Sequence, residues 1–368
     1  MKFLHTADWQ IGMKADFVGH AAQKVRDERL AAGQRLVDSA NNERAEFILM
    51  AGDLFEDNAV DRTLVQRTVD ILTHFQGRVY LIPGNHDPLI PGSVWEHPAW
   101  RSAENLIVLT EQKPVEIPGG FLFPCPIRDK YSRKDPAAWI EGENVETIRL
   151  GMAHGNVEGL PQDNPDHPIA RDAANRAGLD YLALGHWHSM ATYPDSNGIV
   201  RMAYSGTHEI SRFGERDSGH ALVVEIADPR SKPVVRPIET GRLRWQILES
   251  EIVESGDLKQ LRQNIEGITE PEALLLDLRL KGLLYSEEKE ELPHIEDIIA
   301  TRFLYARIDA SELLPCPEDT QWIESLPLGI LQESAGRLQQ MTLSGDQQAE
   351  TASRALLELY KIVGEVTQ

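Results

Sequence analysis

The chain reads as an α/β protein built on two sheets, followed by a smaller α+β segment. Three observations predict this. Short apolar runs alternate with longer helical patterns through the first hundred residues. After them, strand candidates and turn signals follow one another with little helix between. Past about Gly241 the pattern changes again, to alternating strands around an amphipathic helical segment.

Phe3-Leu4-His5-Thr6-Ala7 is a buried-strand candidate that ends at Asp8. From about Gln23 to Asn41, Val25, Leu30, Leu36 and Val37 fall among charges as on an amphipathic helix. Phe47-Ile48-Leu49-Met50-Ala51 is a second strand, stopped by Gly52-Asp53. Leu64, Val65, Val69, Leu72 and Phe75 recur at helical spacing, and Val79-Tyr80-Leu81-Ile82 is a third strand, stopped by Pro83-Gly84. Strand, helix, strand, helix, strand at this spacing argues for an α/β sheet. Ile107 to Leu109, Phe121 to Phe123, Arg149 to Ala153, Tyr181 to Leu184 and His220 to Ile226 are further strand candidates. Two more flank Asp195-Ser196-Asn197-Gly198, and together these predict a second, predominantly antiparallel sheet packed on the first.

Leu276, Leu278 and Leu280 alternate with Asp277, Arg279 and Lys281, a half-buried strand. Leu304, Ala306 and Ile308 alternate with Tyr305, Arg307 and Asp309 in the same way, around a helical segment holding Ile295, Ile298 and Ile299. A closing helix is expected from about Gln347 to Val366, with Leu356, Leu357, Tyr360 and Val363 on one stripe. The expected domains are 1–240, an α+β domain over 241–345, and a C-terminal helix over 346–368.

The 368 residues exceed what one core usually needs. With 41% hydrophobic and 26% charged residues, the chain is neither disordered nor collagen-like. No stretch approaches the ~20 apolar residues of a membrane helix. The formal charge is −21, which repels nucleic acid and anionic membranes unless charge is locally arranged or cations are bound. The excess lies mainly beyond residue 240, where the net is −12 in 128 residues against −9 before it. Cys125 and Cys316 are too few and too far apart for a disulfide framework or a thiolate zinc site. Polar residues interrupt the N-terminal run before a secretory apolar region forms, so a reduced, cytoplasmic protein is expected.

Six polar sites fall just past strands or in tight turns. They are Asp8-Trp9-Gln10, Gly52-Asp53-Leu54-Phe55, Gly84-Asn85-His86-Asp87, His154-Gly155-Asn156, Gly185-His186-Trp187-His188 and Ser205-Gly206-Thr207-His208. Strand ends are where an α/β fold presents its ligands. Carboxylate, carboxamide and imidazole together suit manganese, iron or zinc. Each site alone is commonplace, since Gly-Asp after a strand or Asn-His-Asp in a turn often does no chemistry. Their order and spacing along one chain carry the signal.

That ordered series resembles the calcineurin-like metallophosphoesterases over residues 1 to about 226. Three details are similar to the SbcD-type DNA-repair exonucleases, bacterial relatives of the meiotic recombination 11 nuclease. They are His5-Thr6-Ala7-Asp8-Trp9, Gly52-Asp53-Leu54-Phe55, and Tyr204-Ser205-Gly206-Thr207-His208 leading to Arg212-Phe213-Gly214-Glu215. The resemblance implies a two-sheet α/β/β/α sandwich with a smaller C-terminal α+β capping domain. It implies two divalent metal ions, with Asp8, Gln10, Asp53 and His188 holding one and Asp53, Asn85, His154 and His186 the other. His86 would contact the scissile phosphate or protonate the leaving oxygen, and Asp87 would orient it. Position 10 usually carries histidine; Gln10 here favours manganese or magnesium over zinc, with iron also compatible with the set. Some members carry a histidine where this chain has Glu56.

The function implied is hydrolysis of DNA phosphodiester bonds at ends or in single strands. Also implied are a homodimer and an SbcC-type coiled-coil ATPase partner held by the C-terminal helix. The rival readings are a metallophosphatase or cyclic-nucleotide phosphodiesterase on small substrates, and a weakly active scaffold for an ATPase. His208 and Arg212 are candidate substrate contacts. Arg216 stands beside them, and Trp95, Trp100 and Trp139 read as core or interface residues before base-stacking ones. His97, His167 and His220 fit no ligand position.

Overall fold

The computed structural model describes the chain except residues 143–145, 160–165, 286–287, 289, 316–320, 325, 344–348, 350, 353–354, 357, 360–361 and 363–368, and the side chains of 315, 321 and 343. It divides into two compact units, Met1–Leu243 and Arg244–Gln368.

The strands of the first unit are, in chain order, β1 (Lys2–Thr6), β2 (Phe47–Ala51), β3 (Arg78–Ile82), β4 (Leu106–Val108), β5 (Val115–Ile117), β6 (Gly120–Cys125), β7 (Ile148–His154), β8 (Asn156–Val157), β9 (Pro168–Ile169), β10 (Tyr181–Gly185), β11 (Ala191–Pro194), β12 (Val200–Tyr204), β13 (His220–Glu225) and β14 (Val234–Glu239). They form a six-stranded sheet in the order β14-β13-β1-β2-β3-β4 and a second in the order β11-β12-β10-β7-β6-β5. β8 and β9 make a small separate pair.

In the first sheet β1 to β4 are parallel, and β13 and β14 extend it antiparallel. The second sheet differs from the sequence expectation. Its centre, β12-β10-β7-β6, is parallel, and only the edge strands β11 and β5 run antiparallel. Strands such as β7 and β10 are buried along their whole length, so their hydropathy shows no alternation and carries no information about direction.

Both faces of each sheet are covered. Along β2, Phe47, Leu49 and Ala51 face a core shared with Leu150, Met152, Tyr181 and Ala183 of the second sheet. Ile48 and Met50 point the other way, against Leu36 and Val37 of the helix Ala22–Asn42 and Val65, Val69 and Leu72 of the helix Arg62–Thr73. The outer face of the second sheet packs Leu182, Leu184 and Tyr204 on Ala173, Ala174 and Ala177. The result is a mixed α/β sandwich of two sheets with helices outside, which places the C-terminal ends of parallel strands from both sheets at one rim.

The second unit is a three-stranded parallel sheet of β15 (Arg244–Ile252), β16 (Leu274–Leu284) and β17 (Tyr305–Pro315). The helices Asp257–Glu266 and Glu291–Arg302 connect them. Leu274, Leu276, Leu278 and Leu280 pack with Leu258, Leu261, Ile265, Ile295 and Ile299. On the opposite face the buried Asp277 carboxylate accepts from Arg279 and Arg307. A further helix, Ile330–Leu343, contributes Ala335 to a small cluster with Ile323, Leu326 and Leu356. Of the expected closing stripe, Leu357, Tyr360 and Val363 lie outside the described residues, as does Cys316. No helix among the described residues is long and apolar enough to cross a membrane.

Candidate metal centre

Asp8 follows β1, Asp53 follows β2, the Asn85-His86-Asp87 turn follows β3, His154 ends β7 and His186 follows β10. All stand at the C-terminal ends of parallel strands, where chains leaving adjacent strands open a crevice. The backbone there is unusual. Asp8, Gln10, Asp53 and His186 have left-handed φ values of 55°, 42°, 51° and 104°. Holding non-glycine residues in that region costs of order 1–3 kcal/mol each, and such positions cluster at functional sites. The turns are locked to one another: the Asp8 N–H donates to the Gly52 carbonyl and the Gln10 N–H to the Asp53 carbonyl. Gly84 permits this packing, because a Cβ there would lie 2.1 Å from Oδ1 of Asp53.

Carboxylate and imidazole atoms of Asp8, Asp53 and His154 lie within 4.8 Å of one another, all three residues buried. Asn85 presents its Oδ1 to the same spot, 2.9 Å from Nε2 of His154 and 2.8 Å from Nδ1 of His186. The main-chain N–H of His186 donates to both Asp8 oxygens at 3.0 Å. Gln10, 7% exposed, sits on the turn beside Asp53. His188 lies close enough for its charge to act on Asp8.

Three imidazoles are fixed the same way. Nδ1 of His154 donates to the Ala51 carbonyl at 2.8 Å, Nδ1 of His188 to Glu215 at 2.9 Å, and Nδ1 of His86 to the Glu56 carbonyl at 2.9 Å. Each partner is an acceptor, so Nδ1 carries the proton and Nε2 is left for other work. An outer carbonyl or carboxylate on the far nitrogen is how proteins aim a ligating histidine.

The electrostatics match a cation site. Burial, and then the nearby Asp53 charge, push the Asp8 carboxyl up to about 6, against the pull of His154 and His188. Asp53 is held below the ordinary carboxylate range: burial opposes its charge, but His154 and His86 outweigh that. His154 is raised to about 9, since Asp53 and Asp8 overcome its burial. It must give up that proton to act as a ligand. Burial and the His154 charge lower His186 to about 3. Glu215 raises His188 against burial, and its own carboxyl falls to about 2. Two buried carboxylates facing imidazole and carboxamide atoms, each oriented from behind, fit a divalent metal of borderline hardness.

Two sequence expectations are corrected. Asp87 does not orient His86. Its carboxylate accepts from the N–H groups of Gly84 at 2.7 Å and Phe55 at 3.0 Å, bracing the two ligand-bearing turns, and the Glu56 carbonyl holds His86 instead. His208 is not placed to touch substrate. It is fully buried, stacked on Trp9 with ring centroids 4.5 Å apart, and its Nε2 bonds the Arg29 carbonyl. Arg212 is exposed, its Nε 3.4 Å from Glu215. Trp95 and Trp100 pack against Phe55 in the core, and His97 caps the short helix Pro98–Ser102.

Sequence reasoning assigned no individual role to four positioning residues. Glu215 was visible only as part of a family pattern. Asn156 bonds Nε2 of His186 at 2.9 Å, and Asp166 lies 3.4 Å from the same atom. Arg29, buried in a helix, donates to the carbonyls of Asp8, Trp9 and Glu209. Nothing in a lone helical arginine announces that role.

A two-sheet sandwich with this buried cluster at its strand ends defines a metallophosphoesterase. The model of the calcineurin-like phosphoesterase family matches residues 1–190, and the chain belongs to that family. One curated relative, the "Uncharacterized metallophosphoesterase YhaO" of Bacillus subtilis (strain 168), is 24% identical over 283 residues, covering 72% of this chain and 67% of its own. A solved structure, that of TT1561 of Thermus thermophilus, aligns over 65% of this chain and 98% of its own, at 12% identity and a TM-score of 0.43.

Proposed function

We propose that this phosphoesterase hydrolyses phosphodiester bonds of DNA, at ends or in single strands, in the manner of the SbcD-type exonucleases its sequence resembles. The observation that carries the phosphodiesterase reading is His86. It is a third exposed, borders an open cleft beside Asn85, and has its Nδ1 tied to Glu56. Its Nε2 is therefore left for the phosphate, to which it donates a hydrogen bond when it carries a proton. Asp53 accepts the His86 main-chain N–H at 2.9 Å, which ties the imidazole to the ligand cluster.

Asp8, Gln10, Asp53 and His188 would hold one divalent ion, and Asp53, Asn85, His154 and His186 a second. Two such ions supply an activated water and neutralise the phosphate charge. The Gln10 carbonyl oxygen favours manganese among the candidates. The chain's own part is to position the phosphate and manage one proton. Water adds to phosphorus and gives up one proton to solvent, the bond to the leaving oxygen breaks, and protonated His86 gives that oxygen its proton from Nε2. His86 regains a proton from solvent across the open cleft.

Support for DNA as substrate comes from the Tyr204 to His208 and Arg212 to Glu215 segments, whose pattern is that of the nucleases. The same resemblance supports a homodimer, a coiled-coil ATPase partner and a cytoplasmic setting. The test is turnover by the full chain with manganese on double-stranded ends, single-stranded DNA and a bis-aryl phosphodiester. Cleavage of DNA is the expected result. Cleavage of the small ester alone would replace the nuclease reading with the small-substrate one, and no turnover on any of them would favour a scaffold.

A further inference from the structure

Beside the metal cluster runs a segment that the mechanism does not use. Residues 128–134 read Arg-Asp-Lys-Tyr-Ser-Arg-Lys, four basic residues and one acid in a chain of net charge −21. The segment is pinned on both sides. Just before it, the Ile127 N–H donates to the Pro83 carbonyl at 3.1 Å, and the Ile127 carbonyl accepts from Leu89 at 2.8 Å. It therefore hangs on the turn that carries Asn85 and His86. Farther along, the His167 N–H donates to the Ser132 carbonyl at 2.7 Å. Arg128 and Lys130 between these anchors, and Arg133 and Lys134 just past the second, are exposed, and Tyr131 is 73% exposed with Nζ of Lys130 5.9 Å from its ring centre. Among the described residues, Lys130, Arg133 and Lys134 make no ion pair.

A cleft of 660 Å³ separates Asn85 and His86 from Lys130, Tyr131 and Arg133. A second, of 710 Å³, passes Arg128 and Lys134 and shares Ser132 with the first. Ser132 thus stands between the two, and the first reaches the candidate proton donor His86. A solvated surface loop explains scattered lysines. A lone exposed tyrosine is equally ordinary; what sets Tyr131 apart is that it and its flanking cations line the same cleft as Asn85 and His86 on a tethered loop.

We infer that residues 128–134 are a binding track for single-stranded nucleic acid, which seats the nucleotides flanking the scissile phosphate. Tyr131 stacks a base, Lys130 and Arg133 take the adjacent phosphates, and Arg128 and Lys134 continue the path. An aromatic platform set in a positive groove is how strands are held without reading sequence. The assignment deepens the proposed nuclease function and rests on it for its meaning, though not for its test. The local charge also bears on how an acidic chain can admit a polyanion: Arg128, Lys130, Arg133 and Lys134 line the two clefts against Asp129, Asp135 and Asp166, a small positive excess in a chain of net charge −21.

The test is binding of a short fluorescein-labelled oligothymidylate to the full chain in EDTA, followed by anisotropy across a salt series. Tyr131→Ala is expected to weaken binding about ten-fold, with Tyr131→Phe close to wild type. The double variant Lys130→Ala/Arg133→Ala is expected to lower the slope of log K against log salt by about 1.4, some 0.7 for each phosphate that no longer meets a cation. Wild-type binding with variants of unchanged affinity and slope, or no wild-type binding at low salt, overturns the track. DNA cleavage by wild type with manganese is scored separately. Cleavage with unaltered variants removes the track and keeps the nuclease, whereas variant-sensitive binding without cleavage does the reverse.

Discussion

Nδ1 of His188 lies 2.9 Å from Oε1 of Glu215, a carboxylate only 4% exposed. Glu215 is itself held by the N–H and hydroxyl of Ser211. The pair fixes the imidazole through Nδ1 and leaves Nε2 open, in a ring close enough for its charge to act on Asp8. Glu215→Ala should therefore weaken manganese binding roughly 10–100-fold. A calorimetric titration of manganese into the apo-protein checks this, and an unchanged affinity would remove Glu215 from the site.

His86 is assigned to the phosphate and the leaving oxygen, not to a metal. His86→Ala should lower kcat on a bis-aryl phosphodiester by about 10²–10⁴, with manganese affinity close to wild type. The two readouts separate the roles, because a lost ligand would lower both.

That the candidate ligands would gather at one rim was legible because each stands at, or within a few residues of, the end of an apolar strand, one of the few places where sequence position fixes spatial position. Asp8 and Asp53 are 45 residues apart yet sit on adjacent strands, β1 and β2. Side-chain partners were less legible. Asp87 follows His86 in the chain, but the turn sends its carboxylate to Gly84 and Phe55. His208 has the strand-end setting of a site residue and is packed beneath Trp9 instead. β15 escaped notice because exposed and half-buried residues dominate it, leaving little hydropathy contrast. β7 and β10 were recognised as strands, but their direction depends on connections that hydropathy does not encode.

Arg29 is 1% exposed and ties the Asp8-Trp9 turn to the segment around Glu209. It donates to Trp9 at 3.0 Å, Glu209 at 2.9 Å, Asp8 at 3.3 Å and the Thr207 hydroxyl at 3.2 Å. Arg29→Met leaves several buried acceptors unpaired and should cost about 3 kcal/mol or more of stability. Urea denaturation of the apo-protein measures it.

His5 gives the first unit an acid-sensitive element away from the metal ligands. Its Nε2 donates to the Leu184 carbonyl, so Nδ1 accepts from the Tyr181 hydroxyl and the ring is neutral. Burial lowers its pKa to about 3 from an ordinary 6.5. The unfolded chain thus binds a proton below 6.5 that the folded one refuses. Stability from His5 is complete above that pH and is lost as pH falls toward 3. Between about pH 4 and 6 the wild type should lose roughly 1.4 kcal/mol per pH unit more than His5→Gln. Parallel curves for the two proteins would contradict the assignment.

The most direct test of the account concerns Asp53, the carboxylate shared by both proposed ion positions. Manganese stoichiometry and bis-aryl phosphodiester turnover are measured together on wild type and Asp53→Asn, with circular dichroism confirming that the variant folds. The account predicts two manganese ions per wild-type chain and manganese-dependent turnover, with ion binding and turnover both lost in the folded variant. An Asp53→Asn protein that kept both ions and its turnover would contradict it.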